Sequence, residues 1–549
     1  MNSSPLDKFY HWEKTTPQAI FFRQPIRGHW HEYSFEKAGK EIRNIAATLK
    51  ALNLPPGSNI AILSKNCAHW IMSDLAIWMA GHVSVPLYPN LTAVSIGQIL
   101  KHSESKVIFI GKLDDYKSQQ AGIPDSLQKI SFALYGPDEG LKWDDLLLKN
   151  NRLEGANGRN PDELATIMYT SGTTGIPKGV MFNFHQLMWT ADVAVKSLQE
   201  NFGFPLHAKL FSYLPLSHIA ERMITELTGL TIGASITFVD SLETFGKNLA
   251  ETQPYLFFGV PRIYTKFQEK ILEKLPQKKL NILLKIPLIN SFIKNKIKRN
   301  VGLSKAKIIG VGAAPVPSSL VQWYASLGIT IRDIYGMTEN AGFCTFNLQS
   351  VKIGSVGQPW PGVDVKLSEQ GEILTRHPGT MMGYYKEPNM TADLFNADGF
   401  LKTGDVGELD HRNFLTITGR IKDIFKTDKG KYVAPGPIEM RLLGNPDIDQ
   451  VCVVGMGIPQ PIALIGLSAA GKKKSKDEII ASLSASMNDA NKQLESYEKL
   501  ETAVIIKSEW TIENGLLTPT LKVKRNEVEK IHVPMYPTWY KNDGLVIWE

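Results

Sequence analysis

The stretch YTSGTTGIPKGV, from Tyr169 to Val180, combines glycines, hydroxyl side chains and one cation in a single loop. The mostly apolar residues from 164 to 168 predict a buried strand before it, whereas its glycines and proline prevent regular structure. Glycines let backbone N–H groups approach an anion closely, the hydroxyls add donors, and Lys178 supplies a mobile positive charge. The spacing is not that of the Walker pattern, which ends in Gly-Lys-Ser/Thr. We therefore predict a phosphate loop of another type that binds ATP. A flexible surface loop is the alternative that this stretch alone leaves open.

The composition indicates a globular enzyme with more than one domain. A chain of 549 residues is too long for a single core. Its 43% hydrophobic and 21% charged residues are ordinary, and its 3 cysteines exclude a disulfide scaffold and favour a reducing compartment. The first residues lack the apolar core of a signal peptide, and no uninterrupted apolar run of about 18 residues occurs, which predicts a cytoplasmic protein. The formal net charge of +7 mildly favours anionic ligands or a membrane surface, and we expect no nucleic-acid partner.

Hydrophobic patterning predicts an α/β fold. Strands and helices alternate from Ser34 to Pro89, and similar alternation returns further along the chain. This rhythm predicts a large domain with mostly parallel sheets over residues 1–419. Beyond it, charged turns, a short strand pair and a helix from about Asp477 to Leu494 indicate a smaller α+β domain over residues 420–549.

Five further segments follow the glycine loop in order, each mixing small residues with charged or hydroxyl groups. They are LPLSHIAER (Leu214 to Arg222), GVGAAPV (Gly310 to Val316), IRDIYGMTEN (Ile331 to Asn340), LKTGDVG (Leu401 to Gly407) and GRIKDIFKTDKGKYVAPGPIE (Gly419 to Glu439). Together with the loop, they resemble the adenylate-forming superfamily of acyl-CoA synthetases, peptide-synthetase adenylation domains and luciferases, over roughly residues 35 to 530. IRDIYGMTEN, KTDKGKYVAPGPIE and LTPTLKVKR (Leu517 to Arg525) are most similar to long-chain fatty acid CoA ligases. The resemblance implies a large adenylate-forming N-terminal domain and a smaller, mobile C-terminal one.

The resemblance also implies a set of nucleotide-binding residues. They are Thr170, Ser171, Gly172, Thr173, Thr174, Gly175, Lys178, Gly312, Ala313, Ala314, Asp333, Tyr335, Gly336, Asp405, Arg420, Lys431 and Tyr432. The small residues from 312 to 314 would flank adenine, and Asp333 and Tyr335 would meet its amino edge and its face. Asp405 would accept hydrogen bonds from both ribose hydroxyls, with Arg420 beside the same sugar. Taken singly, Asp405 also fits a turn, and the small residues also fit a tight strand exit.

Four residues are implied in chemistry on the phosphate and the acid. Glu339 matches the family's Mg²⁺ ligand, and Thr338 would bond the α-phosphate. Lys522, from the small domain, would contact the attacking carboxylate and the α-phosphate together. His218 would lie beside the acyl carboxylate and the thiol entrance. Taken singly, Glu339 could be a solvated surface carboxylate and Lys522 part of a solvated basic tail. His218 could be a structural histidine.

The sequence departs from the family just before the catalytic lysine. Leu521 stands where many relatives have glycine, and Lys524 and Arg525 lie close by, so the lysine could be misassigned by one or two positions. Coenzyme A must later reach the site that Lys522 occupies, which implies a domain rotation. Lys422 is implied as its hinge, with the loop from 430 to 432 facing the site afterwards, although that loop also fits an ordinary hairpin.

The segment from Lys266 to Arg299 alternates Leu, Ile and Phe with many lysines, interrupted by Pro276 and Pro287. It would either lie on an anionic membrane or pack as a solvated helical insert on its own domain.

We interpret the chain as an AMP-forming acid–thiol ligase. It would use ATP, Mg²⁺ and coenzyme A to convert a medium-to-long-chain fatty acid to acyl-AMP and then acyl-CoA. A ligase for carrier-protein phosphopantetheine, a CoA ligase for short-chain or aromatic acids, and a silent binding protein are the alternatives.

Overall fold

The first part of the chain alternates helices and strands, as its patterning predicts. Its elements are α1 (Pro5–Thr15), β1 (Ile20–Ile26), β2 (His29–Ser34), α2 (Phe35–Ala51), β3 (Asn59–Leu63), α3 (Ala68–Met79), β4 (Val83–Leu87), α4 (Ala93–Ser103), β5 (Val107–Ile110), α5 (Tyr116–Gln119), β6 (Gln128–Ser131), β7 (Leu141–Lys142) and α6 (Trp143–Leu148). In α2, Ile42, Ile45 and Leu49 form one fully buried face, and the Ser34 hydroxyl caps the helix by accepting the Lys37 N–H. The computed structural model describes residues 3–149, 151–156, 158–170, 177–542 and 544–549.

The next elements surround the glycine loop. They are β8 (Leu164–Thr170), β9 (Lys178–Asn183), α7 (Phe184–Phe202), β10 (Lys209–Ser212), α8 (Ile219–Glu221), a π-helical turn (Arg222–Leu227), α9 (Thr228–Ile232), β11 (Ser235–Phe238), α10 (Phe245–Thr252), β12 (Leu256–Gly259), α11 (Pro261–Lys274), α12 (Gln277–Lys285) and α13 (Ile289–Asn300). β8 and β9 pair antiparallel, with Thr170 opposite Lys178. The predicted contacts Ser171, Gly172, Thr173, Thr174 and Gly175 lie outside the described residues.

The third group of elements carries the other motifs. It comprises β13 (Ile308–Val311), α14 (Ser318–Ser326), β14 (Arg332–Tyr335), a 3-10 turn (Thr338–Asn340), β15 (Thr345–Phe346), β16 (Gln358–Pro359), β17 (Asp364–Leu367), β18 (Glu372–Arg376), β19 (Gly383–Tyr384), α15 (Pro388–Leu394), β20 (Leu401–Leu409) and β21 (Leu415–Arg420). An eight-stranded sheet has the order β19-β9-β8-β4-β3-β5-β6-β7 and is parallel from β8 to β7. A five-stranded sheet starts with the parallel strands β12, β13 and β14. Parallel strands end at one edge, so the segments that follow β13 and β14 lie side by side.

Two smaller sheets complete this part of the chain. β10, β11, β1 and β2 form a mixed four-stranded sheet. β17, β18, β20 and β21 form an antiparallel sheet, in which Asp405 lies opposite Arg420. The prediction of an α/β fold with mostly parallel large sheets is confirmed, and the antiparallel sheet adds an element that the motifs alone did not indicate.

The last part of the chain forms the expected α+β unit. Its elements are a 3-10 turn (Ile421–Asp423), β22 (Phe425–Lys426), β23 (Tyr432–Val433), α16 (Pro435–Leu442), β24 (Ile448–Val454), β25 (Ile462–Leu467), α17 (Lys476–Asn491), β26 (Ala503–Ile505), α18 (Arg525–His532), α19 (Tyr536–Tyr540) and β27 (Val546–Trp548). The sheet β24-β25-β26-β27 carries one hydrophobic cluster on each face. None of the helices in the described part of the chain is long and apolar enough to cross a membrane.

A buried ion cluster lies inside the largest hydrophobic core. The Arg222 guanidinium contacts Asp74, donates to the Thr166 hydroxyl at 2.8 Å and lies 3.3 Å from Glu226, and the charged side chains are fully buried. Trp78 faces the same guanidinium, 5.3 Å from its ring centroid. Burial, and then the charge of Asp74, raise the pKa of Glu226 well above its usual value. The cluster therefore depends on Asp74 as the carboxylate that contacts Arg222.

We expect Asp74→Ala to lower the free energy of unfolding by about 3–5 kcal/mol, because it leaves a buried guanidinium without its carboxylate. The matched control is Asp364→Ala, which breaks an exposed ion pair with Arg376 of 2.9 Å and is expected to cost less than about 1 kcal/mol. Urea unfolding followed by tryptophan fluorescence measures both changes. Equal losses in the two variants would contradict a stabilising role for the cluster.

Candidate active site

A buried carboxylate joins two sheets at the predicted ribose position. The Asp405 Oδ2 atom accepts the Tyr335 hydroxyl at 2.6 Å, and its Oδ1 atom accepts the Arg420 Nε–H at 2.8 Å. Tyr335 ends β14, whereas Asp405 and Arg420 face each other across β20 and β21. The carboxylate has a fixed orientation, and its remaining lone pairs can accept the two hydroxyls of a ribose.

The predicted adenine segment leaves β13 next to the same carboxylate. A Cβ added to Gly312 would lie 2.8 Å from the Ile334 carbonyl oxygen, so glycine lets the two strand exits approach. Ala313 follows with a φ of +64°, a left-handed conformation that is uncommon for alanine. Asp333 lies on β14 opposite Val311 of β13, and burial raises the pKa of its carboxyl to about 8. An adenine amino group is a donor and would favour the ionised form of Asp333.

A second buried carboxylate lies beside the described ends of the glycine loop. Glu339 is 8% exposed and its Oε1 atom accepts the Tyr384 hydroxyl at 2.7 Å. Tyr384 lies on β19, which pairs with β9, and the Lys178 ammonium is 5.2 Å from the Tyr384 ring centroid. Burial is the largest cause that lowers the pKa of Lys178, followed by the charge of Lys422. Strand pairing thus brings together Lys178 and Glu339, which are far apart in the chain.

Tyr384 is a site residue that the sequence motifs missed. Its only sequence signal is a tyrosine after glycine in a short apolar run, and it lies near Lys178 only because β19 pairs with β9.

The turn that carries Thr338 and Glu339 is fixed by backbone contacts. The Met381 N–H donates to the Glu339 carbonyl at 2.9 Å, and a Cβ on Gly336 would lie 2.3 Å from the Gly342 carbonyl carbon.

Lys522 from the C-terminal unit lies among residues of the N-terminal part. The residue as a whole is exposed, but crowding of the ammonium by protein atoms, and then repulsion by Arg420, lower the pKa of Lys522, whereas the charge of Asp405 opposes this shift. Burial, and then the charge of Lys522, lower the pKa of His218 to about 4, so this imidazole is neutral at pH 7. The His218 Nδ1 atom accepts the Ala220 N–H at 3.2 Å, which orients the ring at the start of α8.

In the loop that presents Lys522, Leu521, which stands where the family pattern has glycine, takes a left-handed conformation. The Thr518 N–H donates to the Lys522 carbonyl at 2.8 Å, and Leu521 takes a φ of +62°. Glycine adopts that conformation without strain, which accounts for its use in relatives, and Leu521 adopts it here. Arg525 instead pairs with Glu439 within the C-terminal unit, so the geometry favours Lys522 over Arg525 as the cation of the site.

The sequence matches two models of known protein families, which together cover most of the chain. A family model described as AMP-binding enzyme matches residues 9–385, and a second, described as AMP-binding enzyme C-terminal domain, matches residues 422–535. The chain belongs to the AMP-binding enzyme family. It is therefore an adenylate-forming enzyme, and the predicted recognition and the expectation of an AMP-forming ligase are confirmed.

Similar proteins cover most of the chain of this AMP-binding enzyme. A long-chain-fatty-acid–CoA ligase of Mycobacterium bovis is 28% identical over 94% of this chain and 93% of its own. One of Xenopus laevis is 27% identical over 94% and 80%. Among solved structures, the adenylation domain of a carboxylate reductase from Mycobacterium chelonae superposes with a TM-score of 0.81, at 21% identity over 98% of this chain and 91% of that one. The o-succinylbenzoate CoA synthetase of Bacillus subtilis gives 0.73, at 21% identity over 96% and 98%. These likenesses show the adenylate-forming fold.

The donor set of this AMP-binding enzyme fits a magnesium ion that is shared with phosphates. Within the described residues, no group of three or more His, Cys, Asp or Glu side chains could hold a metal ion alone. Glu339 is a single buried carboxylate whose Oε1 is oriented by Tyr384, close to the predicted phosphate position. Mg²⁺ is commonly bound by one or two carboxylates together with water and substrate phosphates, which matches this arrangement.

Three predicted residues lie in other parts of the C-terminal unit. Lys422 is exposed in the turn after β21, close enough to Lys178 to lower its pKa. The Lys431 ammonium lies 5.7 Å from the Tyr497 ring centroid, and Tyr432 is 65% exposed. Within the described part of the chain, the ring contacts of Lys431 and Tyr432 are thus with Tyr497 and Lys426 of their own unit.

Two groups of aromatic side chains lie in the N-terminal part. Trp189 and Phe343 contact each other with centroids 6.0 Å apart, whereas Phe257 stacks on Tyr213 at 5.8 Å. His377, which sequence patterns did not single out, stacks on Trp189 at 5.3 Å, and burial lowers its pKa to about 4. A neutral His377 thus extends the apolar wall around Trp189.

We expect Asp405→Asn to lower kcat/KM for ATP by roughly 10- to 100-fold, because hydrogen bonds to a charged group contribute about 1.5–3 kcal/mol. The control is Asp398→Asn, which alters an exposed aspartate that pairs with Lys366 and leaves the site intact. Initial rates at varied ATP concentration measure the effect. The ribose assignment is wrong if both variants retain wild-type kinetics.

Proposed function

We propose that this protein is an ATP-dependent ligase that converts a medium-to-long-chain fatty acid to acyl-AMP and then to acyl-CoA, releasing pyrophosphate and AMP. The observation that carries this proposal is the position of the Lys522 loop, which meets the N-terminal part where Asn90 donates to the Pro519 carbonyl at 2.8 Å and which brings the lysine within electrostatic reach of His218, Arg420 and Asp405. It is the arrangement that adenylation of a carboxylate requires. Relatives named as long-chain-fatty-acid–CoA ligases, matched over most of their length, support the fatty acid and coenzyme A.

In the first half-reaction, a fatty-acid carboxylate attacks the α-phosphate of ATP. Two anions must meet, so the ammonium of Lys522 stabilises both the nucleophile and the charge that develops on the phosphate. Thr338, at the start of its 3-10 turn, donates to the α-phosphate, and Thr170 and Lys178 hold the phosphate chain with the loop between them. Glu339 would hold Mg²⁺, which neutralises phosphate charge when it is bound.

The nucleoside is held by the two strand exits and the ribose carboxylate. Gly312, Ala313 and Ala314 flank the base, and Gly336 keeps the turn after Tyr335 close to the backbone at Gly342. Asp405 binds the ribose hydroxyls while Arg420 holds its orientation. Each of these contacts fixes the α-phosphate relative to Lys522, which is the positional requirement of an in-line attack.

In the second half-reaction, the thiol of coenzyme A attacks the acyl-adenylate, and Lys522 must leave. We propose that the C-terminal unit beyond Lys422 rotates against the N-terminal part, about a hinge at Lys422, while Arg420 stays paired with Asp405 at the end of β21. β21 ends at Arg420 and the C-terminal core begins at Phe425, so few residues join the two. The ties between the units are exposed: Asn90 donates to the Pro519 carbonyl at 2.8 Å, and Arg262 pairs with Asp449 at 3.0 Å. Such contacts break at low cost.

The rotation would bring Lys431 and Tyr432 to the nucleotide, which the family resemblance implies that they bind. Both residues are exposed on the C-terminal unit, so a rotation can turn them towards the nucleotide site. His218 stays with the N-terminal part, and its pKa of about 4 leaves the imidazole unprotonated at neutral pH. When Lys522 leaves, one of the two causes of this low pKa is removed, which makes the imidazole a better acceptor for the proton of the incoming thiol.

We expect Lys522→Ala to reduce adenylation by about 100-fold or more, since it removes the cation at the reacting groups. Thioester formation from supplied acyl-AMP should be nearly unchanged. Lys422→Pro should do the reverse, because proline restricts the hinge. Pyrophosphate exchange and acyl-AMP consumption by coenzyme A measure the two steps separately. Lys524→Ala is the neighbouring-lysine control, and equal losses in both half-reactions for both site variants would overturn the rotation.

We expect thioester formation, assayed from acetate to palmitate and with aromatic acids, to be fastest with medium-to-long chains. A deep apolar pocket gains favourable transfer free energy with each buried CH₂ group, about 0.8 kcal/mol. Exchange without CoA thioester, but with transfer to carrier-protein phosphopantetheine, would identify a carrier-protein ligase. A maximum at short-chain or aromatic acids would change the substrate class, and exchange with none of these acids would contradict the proposed activity.

A further inference from the structure

The helices α12 and α13 form a basic hairpin, residues 277–300, on the surface of the N-terminal part. This hairpin contains six lysines and one arginine and no aspartate or glutamate. Pro276 precedes α12 and Pro287 lies between the helices, so the proline positions predicted the breaks correctly. The Asn290 side chain donates to the Leu284 carbonyl at 2.7 Å and closes the turn between the two helices.

One side of the basic hairpin is anchored to the protein. Leu280 and Ile297 are buried in the cluster that also contains Tyr264 and Tyr324. The Trp323 indole donates to the Gln277 side chain at 2.8 Å. On this inner side, the hairpin packs on its own domain, as expected for a helical insert.

The outer side is apolar as well, which packing on the domain does not explain. Ile282 is 62% exposed, Leu288 89% and Phe292 65%, and Ile286 and Ile289 are also exposed. Phe292 lies one turn into α13, and its N–H donates to the Leu288 carbonyl at 3.2 Å, so the two residues are neighbours at the tip. Five exposed large apolar residues within eleven positions form a patch, unlike single exposed residues scattered over a surface.

The tip of the basic hairpin is conformationally unusual. Leu288 has a φ of +69° and a ψ of −50°, where residues other than glycine are rarely found. A glycine would remove this strain and an apolar side chain at the tip, yet leucine occupies the position. Strained backbone of this kind is concentrated at functional segments.

We infer that the basic hairpin docks on the surface of an anionic phospholipid bilayer. Leu288 and Phe292 enter the apolar layer below the headgroups, and the exposed Lys278, Lys279 and Lys285 lie among the negative headgroups. The complementary charge selects this occupant, because a seven-cation hairpin would repel a second copy of itself. The inference concerns where the enzyme works and does not depend on which acid it activates.

The test uses the full chain and flotation with vesicles, without substrate. The wild-type protein is expected to bind vesicles of equal parts phosphatidylglycerol and phosphatidylcholine, and to bind pure phosphatidylcholine much more weakly. Leu288→Ser with Phe292→Ser should weaken binding to the anionic vesicles by about tenfold or more. Leu148→Ser is the matched control, because Leu148 is 83% exposed at a distant helix end and should have no effect. Unchanged pyrophosphate exchange and thermal unfolding show that the variants are folded.

A second variant separates charge from insertion. Replacing Lys278, Lys279 and Lys285 by glutamine removes three of the seven cations and should weaken the preference for anionic vesicles and reduce the salt dependence of binding. The inference is overturned if the wild-type protein does not float with anionic vesicles, or if the Leu288 and Phe292 variant floats equally well. It is also overturned if lipid-free sedimentation shows a dimer that the same variant abolishes, since the patch would then bind a second copy.

Discussion

The carboxylate of Asp405 is the constraint on which the geometry of the site depends. It is 9% exposed and bonded on one oxygen to Tyr335 of the five-stranded sheet and on the other to Arg420 of the antiparallel sheet. A buried carboxylate needs such donors, so the two sheets cannot separate at this point without leaving it unpaired. Arg420 is also the last residue of β21, and its charge acts on Lys522. One ion pair therefore fixes the proposed ribose position, lies at the start of the proposed hinge and influences Lys522, the proposed adenylation lysine.

The buried cluster around Arg222 plays a comparable part at the other end of the site. Arg222 bonds to Thr166 of β8, the strand that leads into the glycine loop, and it begins the π-helical turn that follows α8 and His218. A π-helical turn in this position is a feature often found at functional sites. Since the guanidinium cannot leave its carboxylates without a large free-energy cost, the strand before the phosphates and the helix that starts with His218 keep a fixed relation. The buried ion cluster thus holds β8 in a fixed relation to the helix that starts with His218, the residue that we propose to lie beside the acyl carboxylate.

The sequence predicted most of the elements and the identity of the motifs, because these depend on local patterns. The buried face of α2 and the breaks at Pro276 and Pro287 are examples. It did not predict the partnership of Glu339 with Tyr384, since that requires β19 to pair with β9 across some two hundred residues. It also gave no indication that Leu521 would take a left-handed conformation, because leucine disfavours it and only the closed loop around Lys522 imposes it. Site residues can be named from motifs, whereas their contacts follow from long-range pairing.

Backbone strain links the nucleotide site and the basic hairpin. Among the described residues, four with apolar side chains have a positive φ: Leu288, Ala313, Ala341 and Leu521. Ala313 follows the adenine strand, Ala341 ends the turn that carries Glu339, and Leu521 precedes Lys522. Each such position costs on the order of 1–3 kcal/mol, and the surrounding structure must compensate for it. Three of the four lie where a main chain has to present a group to the nucleotide or the acid. Leu288 also has a positive φ, but its ψ of −50° lies outside the left-handed helical region that Ala341 occupies, and its segment is the basic hairpin that we propose to dock on a bilayer.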